Sequence, residues 1–278
     1  MVLAGITLYN PELDRLEENI TAILGQVDKI ICIDNGSKNI REIEIFIKKR
    51  FPEISLKKNA ENKGVAVALN QIFSYGKEKG FSWVLTLDQD SVCPENLMKE
   101  YRKYWNIEGV GVLSPRIIDR NFQKNTEAGL AYEEVDACIT SASLTSVEAW
   151  EKVGGFWEYL FIDYVDHDFC AKCAKAGIKI LRINRVALLH ELGKGQHKRL
   201  FGKQLTILNH SPMRKYYIVR NRLIYMKEHR EVIDIKAERK KYIFFYIKTL
   251  LFEDQKWEKL KEMLRGRRDG KRYKGEIQ

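Results

Sequence analysis

The sequence predicts an α/β protein on a mostly parallel, doubly wound sheet, followed by a basic helical extension. Three observations carry this. Short apolar runs alternate with helical periodicity from residue 2 to residue 90, polar residues close each apolar run, and positive charge gathers beyond residue 195. Strands separated by helices pair in parallel, because a parallel neighbour requires a crossover connection.

The elements follow in order. "VLAGITLY" reads as a strand, "PELDRLEENITAILGQ" as an amphipathic helix begun by Pro11, and "KIICIDNGS" as a strand running into turn residues. "IREIEIFIKKRF" is a helix, "EISLKKN" a strand, "GVAVALNQIFSYGKEKG" a helix stopped at Gly80, and "FSWVLTLDQD" a strand. "PENLMKEYRKYW" then reads as helical and "GVGVLSPRI" as a strand, while the pattern up to about residue 145 assigns nothing. "VEAWEKVGGF" is a short helix ending at Gly154 and Gly155. "FIDYVDHDFCAKCAKAG" is a helix with Asp163, Asp166 and Asp168 near its positive end. "IKILRINRVALLH" suggests two short strands, the second ending at His190.

Residues 1–205 therefore form one expected domain, with halves near 1–92 and 93–205, and residues 206–278 a helical region. Residues 196–278 hold 23 Lys/Arg against 10 Asp/Glu. Three helices rich in Lys/Arg and aromatics are expected there, in "PMRKYYIVRNRLIYMKEH", "EVIDIKAERKKYIFFYIKTLLF" and "EDQKWEKLKEMLRG". "YIFFYIKTLLF" falls short of the roughly 20 apolar residues that span a bilayer. Such helices suit either an anionic membrane surface or packing against the main domain. Nucleic acid is not expected as a partner, since the basic excess is confined to the tail and no recognised module appears. Self-association is left open.

With 45% hydrophobic and 31% charged residues, the chain has the composition of a folded soluble protein. The first thirty residues lack a secretory pattern, so a cytoplasmic location is expected. An odd number of cysteines, 5, suits reduced thiols, and Cys170 and Cys173 of "FCAKCAK" read as two positions on one helix turn.

Ligands of open α/β sheets sit beyond the carboxyl ends of the strands. That address collects Tyr9 and Asn10, then Asp34, Asn35 and Ser37, then Asn59 and Asn62, then Asp88 and Asp90. Asn10, Asn35 and Asn59 read as turn formers. Asp34 is different, a charge carried straight off an apolar strand. The pair in "LTLDQDS" can hold a hard divalent cation in oxygen ligands. It also fits the nucleophile motif of haloacid-dehalogenase-type phosphatases, although that motif normally opens its domain. An EF-hand is excluded, because Cys93 and Lys99 stand where its glycine and bidentate Glu belong. A non-catalytic module for anionic ligands is the remaining class.

Taken together, "ITLYNP", "ICIDNGS", "NKGVAVALNQ", "LTLDQDS", "VGGFWEYLFIDYVDHDFCAK", "LLHELGK" and "RKYYIVRNRL" resemble, in order and spacing, family 2 glycosyltransferases. More narrowly they look like bacterial rhamnosyltransferases of cell-surface polysaccharide synthesis. The resemblance implies a GT-A fold and an inverting transfer from a nucleotide-sugar, dTDP-β-L-rhamnose or another sugar on UDP. The implied acceptor is a lipid-linked saccharide at the cytoplasmic face of a membrane. By the same resemblance Asp34 receives the base N3–H, while Tyr9, Asn62 and Gly64 line the nucleoside. Asp88 and Asp90 form a DxD motif holding Mg²⁺ or Mn²⁺, with Asp88 also placed for the ribose, and His190 closes around metal and diphosphate. Asp166 is the implied general base, with Asp163 as the other acid, and Arg220 and Asn221 lie near diphosphate or acceptor. Four positions depart from the family's usual residues: Leu8 for Thr, Ala142 for Gly, Val165 for Glu and Lys172 for Arg.

Overall fold

The computed structural model describes residues 1–119, 129–190, 196–200 and 203–275, with the side chains of 119, 189, 190, 196–200 and 203–206 outside that description. The chain forms two compact units, residues 1–161 with 165–191, and residues 162–164 with the chain from 192 onward.

The first unit holds β1 (Val2–Leu8), β2 (Lys29–Asp34), β3 (Ser55–Lys58) and β4 (Trp83–Asp88), joined by α1 (Leu13–Ile23), α2 (Ile40–Arg50) and α3 (Val65–Glu78). It continues with α4 (Leu97–Tyr101), β5 (Val110–Asp119), β6 (Tyr132–Glu134), β7 (Ser143–Ser146), α5 (Val147–Lys152), α6 (Val165–Lys175) and β8 (Lys179–His190). Among the described residues the sheet runs β3-β2-β1-β4-β7-β5-β8-β6. The first four strands pair in parallel, while β7 enters antiparallel between β4 and β5. Parallel strands covered on both faces need unbroken apolar runs, and β1 is buried at every residue but Thr7. Helix α1 meets the sheet with Leu16, Ile20 and Ile23, one apolar stripe at helical spacing. Helix α3 presses so closely on β1 that a Cβ at Gly5 would stand 2.1 Å from Ile72.

Three expectations change. "IKILRINRVALLH" is one strand of 12 residues, not two. Its register against β5 jumps from Pro115↔Ile183 to Arg116↔Ala187, so the polar "NR" marks a bulge rather than a turn. The helix expected in "PENLMKEYRKYW" covers only the 5 residues of α4. Helix α6 starts at Val165, which leaves Asp163 ahead of it.

The second unit contains a hairpin that the pattern did not announce, β9 (Gln196–Leu200) with β10 (Lys203–Ile207), and the three expected helices α7 (Pro212–Glu228), α8 (Ile235–Phe252) and α9 (Lys256–Arg272). Helix α7 is capped by Ser211, whose Oγ accepts from the Arg214 N–H, and Asp234 caps α8 through the Ala237 N–H. Helix α9 lies directly on α7. Cβ atoms at Gly266 and Gly270 would come within 2.4 Å of the Tyr216 carbonyl and 2.8 Å of the Arg220 carbonyl. No helix among the described residues is long and apolar enough to cross a membrane.

His210 sits in this unit beside Arg214, Lys215 and Lys259. Burial first, then those cations, push it down to about 4. Between that value and its ordinary 6.5 the folded chain keeps it neutral while the unfolded chain protonates it. The unfolded state then binds more protons, so His210 lowers stability as pH falls through this window. We expect His210→Gln to flatten the loss of stability between pH 6.5 and 4 by about 2 kcal/mol after discounting for partial exposure, read from denaturant melts of both chains.

Candidate active site

The parallel registers set Leu8 opposite Asp34 and Thr7 opposite Asp88, so the two carboxylates leave the sheet at one edge. Asp34 is 1% exposed. Its Oδ2 accepts from the N–H groups of Gly36 (3.0 Å) and Ser37 (3.1 Å), which fixes the carboxylate plane. Its Oδ1 is buried with no hydrogen-bond partner. A buried acceptor of this kind costs free energy unless a donor arrives.

The neighbouring asparagines are not mere turn formers. Asn35 donates through Nδ2 to Asn62 Oδ1 and to the Gly64 carbonyl, both at 3.0 Å. Its Oδ1 accepts from Asn59 Nδ2 and the Lys63 N–H, each at 3.1 Å. Asn62 Oδ1 also accepts from the Gly64 N–H. This network joins the β2 exit to the entry of α3. Gly64 has φ +88°, and a Cβ there would stand 2.6 Å from the Phe161 carbonyl, which accepts from Val65 N–H at 2.7 Å. Tyr9 is exposed, and its backbone exchanges hydrogen bonds with the Gln89 side chain. Gln89, the middle residue of "DQD", therefore ties that loop to the β1 exit. A lone polar residue between two acids carried no signal of this.

Asp88 is half-buried and Asp90 exposed. The Asp88 carbonyl accepts from Asn19 Nδ2 of α1 at 2.6 Å, and its N–H donates to Ser141 Oγ, itself 2.6 Å from Ser91 Oγ. The backbone under the motif is thus held from both sides while Asp90 stays exposed. Among the described residues no group of three metal-ligating side chains is gathered. Two carboxylates at an open edge fit Mg²⁺ or Mn²⁺, which bind through one or two acids and complete their shell with phosphate and water. His190 ends β8 opposite Asp119, and its side chain lies outside the described residues.

Asp163, Asp166 and Asp168 have separate fates. Asp168 is buried and ion-paired with Lys172 at 3.0 Å, and Lys172 also donates to the Gly155 carbonyl. Lys172 thereby does structural work expected of a basic residue there. Asp166, in the first turn of α6, accepts on Oδ1 from the His167 N–H and ring Nδ1, both 2.8 Å away. Its Oδ2 has no hydrogen-bond partner among the described residues. It lines a narrow pocket with Thr86 of β4 and Thr140, two residues of the chain away from Asp88 in the first case. Cys138 and Cys170 line the same pocket with their sulfurs 4.0 Å apart, so Cys170 faces Cys138 while burial pushes the Cys173 thiol up to about 12.

Asn70 of α3 holds the preceding loop. Its Oδ1 accepts from Trp150 Nε1 and the Phe156 N–H, and its Nδ2 donates to the Phe156 carbonyl. Gly155, at φ +74°, has no room for a Cβ against Asn70 and Trp150. Two of the four departures also have structural readings. Val165 is a core residue, and Ala142 sits buried at φ +58°, a backbone conformation that suits glycine.

In the second unit Asp163 (φ +61°) and Tyr164 (φ +65°) are both left-handed. Arg214 grips the Asp163 carboxylate with Nε and Nη2 at 3.0 to 3.2 Å. Asn221, fully buried, donates to the carbonyls of Ile162 (2.8 Å) and Asp163 (2.9 Å). Arg220 donates to Asn221 Oδ1 and lies over the Tyr217 ring. These residues hold a strained segment in place.

The model of the family "Glycosyl transferase family 2" matches residues 4–174. Over 267 residues the chain is 29% identical to the dTDP-rhamnosyl transferase RfbF of Shigella flexneri, covering 90% of this chain and 87% of that protein. Among solved structures it is similar to the mannosyltransferase PcManGT of Pyrobaculum calidifontis, in complex with GDP-Man and Mn²⁺ (TM-score 0.61, 15% identity, 95% and 73% covered). It is also similar to S. aureus TarS 1-349 (TM-score 0.59, 12% identity, 97% and 80% covered). The fold is therefore of the GT-A kind, with a mixed, mostly parallel sheet and the C-terminal helices α7 to α9.

Proposed function

The chain belongs to glycosyl transferase family 2, and from that premise we propose that it moves L-rhamnose from dTDP-β-L-rhamnose onto a hydroxyl of a lipid-linked saccharide, with inversion. The observation that carries this reading is the buried, unpartnered Oδ1 of Asp34 at the sheet edge shared with Asp88. A pyrimidine imide N–H is the donor such an acceptor needs. Thymine and uracil both offer it, and the similarity to RfbF favours the thymidine nucleotide.

In this reading Tyr9, Asn62 and Gly64 shape the nucleoside pocket, with Asn35 holding Asn62 and Gly64 in position. Asp88 and Asp90 are the residues to hold Mg²⁺ or Mn²⁺, which when bound neutralises charge on the diphosphate. His190 belongs at the leaving group. Asp166 takes the proton of the acceptor hydroxyl as that oxygen bonds to the anomeric carbon and the bond to the diphosphate oxygen breaks. Nucleoside diphosphate leaves, and the sugar inverts. Asn221 and Arg214 hold the backbone and carboxylate of the 162–164 segment, with Arg220 bonded to Asn221.

The test is a turnover screen over dTDP-, UDP- and GDP-sugars, with and without Mg²⁺ or Mn²⁺. We expect dTDP-rhamnose to be consumed only with metal. Asp90→Ala is expected to raise the metal concentration needed by at least about tenfold, the smallest loss seen even for partners beyond the ligand shell. A UDP-sugar as the preferred donor would correct the nucleotide. Failure of every nucleotide-sugar to bind or react would sink the reading.

A further inference from the structure

We propose that the outward face of α8 is a docking surface for an anionic lipid bilayer. The helix is apolar on two sides. Its face toward the rest of the second unit carries buried Glu238 and Thr249 together with Phe245, over which Lys215 and Arg222 lie, while Ile243, Phe244, Ile247, Leu250 and Leu251 are 38% to 59% exposed. At 100° per residue these five fall within one stripe about a third of the helix circumference wide. Scattered single apolar residues on a surface are ordinary, but a contiguous stripe marks an interaction face.

Charge selects the occupant. Helix α8 has five basic residues, Lys236, Arg239, Lys240, Lys241 and Lys248, and a single acid, Glu238. That acid faces inward, where it pairs with Arg222 and Lys241. Lys236 and Lys240 are exposed and lie on the same stripe, about two turns and one turn before Ile243 respectively. Trp257 follows just beyond the helix at 80% exposure, and Leu264 is exposed two turns further along α9. Exposed apolar side chains bordered by Lys and a Trp match an interface in which acyl chains take the apolar groups and phosphates take the ammonium groups. A second protein with an apolar patch would satisfy the stripe and leave the lysines without partners. The 18 residues of α8 hold too many charges to cross a bilayer, so the helix would lie along the surface.

The inference deepens the reading of a lipid-linked acceptor, since it would bring the enzyme to the surface where that acceptor is anchored. It does not depend on the donor. The test uses the full chain, without nucleotide-sugar, in flotation with vesicles of phosphatidylcholine or of phosphatidylcholine mixed with phosphatidylglycerol. We expect binding to the anionic vesicles only, weakened by salt. Lys236→Glu with Lys240→Glu should reduce partitioning by at least roughly 25-fold, at about fivefold per lysine. Ile247→Ser with Leu251→Ser should reduce it comparably without changing the thermal melt, because both sites are exposed. Equal partitioning of the variants and the parent chain, or no anionic preference, would overturn the proposal. So would sedimentation showing that the stripe holds two copies of the chain together while vesicles go unbound. Sugar turnover plays no part in any of these readouts, so the donor assignment and the docking surface fail separately.

Discussion

Asp166→Asn is expected to lower sugar transfer by roughly 10²- to 10⁴-fold, the usual contribution of a positioned general base. The substitution keeps side-chain volume and leaves an oxygen for the His167 N–H, so the first turn of α6 should stay intact. What disappears is the proton acceptor of the proposed reaction. The loss should therefore fall on kcat, with the affinity for the proposed donor little changed. Asp163 provides the control, because Arg214 holds its carboxylate in a two-point fork and its backbone is left-handed. Asp163→Asn is expected to loosen that segment and lower stability while leaving measurable transfer. If Asp166→Asn transfers at the parent rate and Asp163→Asn does not, the base is Asp163.

Glu253→Ala should destabilise the second unit by about 3 to 5 kcal/mol, the cost of removing one partner from a buried ionic group. Glu253 stands between two lysines whose side chains are only 1% and 2% exposed. Its Oε1 is 2.5 Å from Lys215 Nζ and its Oε2 3.1 Å from Lys259 Nζ. Burial pushes Lys215 down to about 8 even though Glu253 opposes the change. Thr249 Oγ1 and Asn209 Oδ1 each take one further ammonium hydrogen bond, and neither supplies charge. Without the carboxylate two cations would remain inside the unit.

The pH dependence gives that prediction a second readout. A lysine whose folded-state affinity for protons is lowered binds fewer protons folded than unfolded between about 8 and its ordinary 10.5. Stability from this group therefore rises with pH across that window. In Glu253→Ala the window should open at lower pH, so the deficit against the parent should shrink between pH 7 and 9. Denaturant melts followed by helical circular dichroism would measure both effects. A variant within 1 kcal/mol of the parent at pH 7 would refute the account, since such a loss is ordinary for any substitution.

The alternation of strands and helices from β1 to β4 was readable because each parallel strand, covered on both faces, must be apolar throughout, and each crossover must be amphipathic. Acids ending such runs, Asp34 and Asp88, stood out against that background. Asn35 shows where local pattern stops. In a turn an asparagine looks the same whether it only bends the chain or, as here, bonds Asn59, Asn62, Lys63 and Gly64 24 to 29 residues away. Likewise "IKILRINRVALLH" looked like two strands, because a bulge and a turn both interrupt hydropathy.

The amino-acid order by itself determined the strands and crossover helices from β1 to β4 and the three C-terminal helices, which carboxylates close the strands, and that positive charge collects in the last third of the chain. Those properties follow from backbone geometry and periodicity within a few residues. Only the tertiary structure decided that β7 inserts antiparallel beside β4, that Asp34 keeps an unpartnered oxygen, that Asp163 and Asp168 are committed to Arg214 and Lys172, and that α8 turns its apolar stripe outward. Each of these depends on which groups meet after the chain has closed on itself, and local sequence does not encode a partner that packing brings from far along the chain.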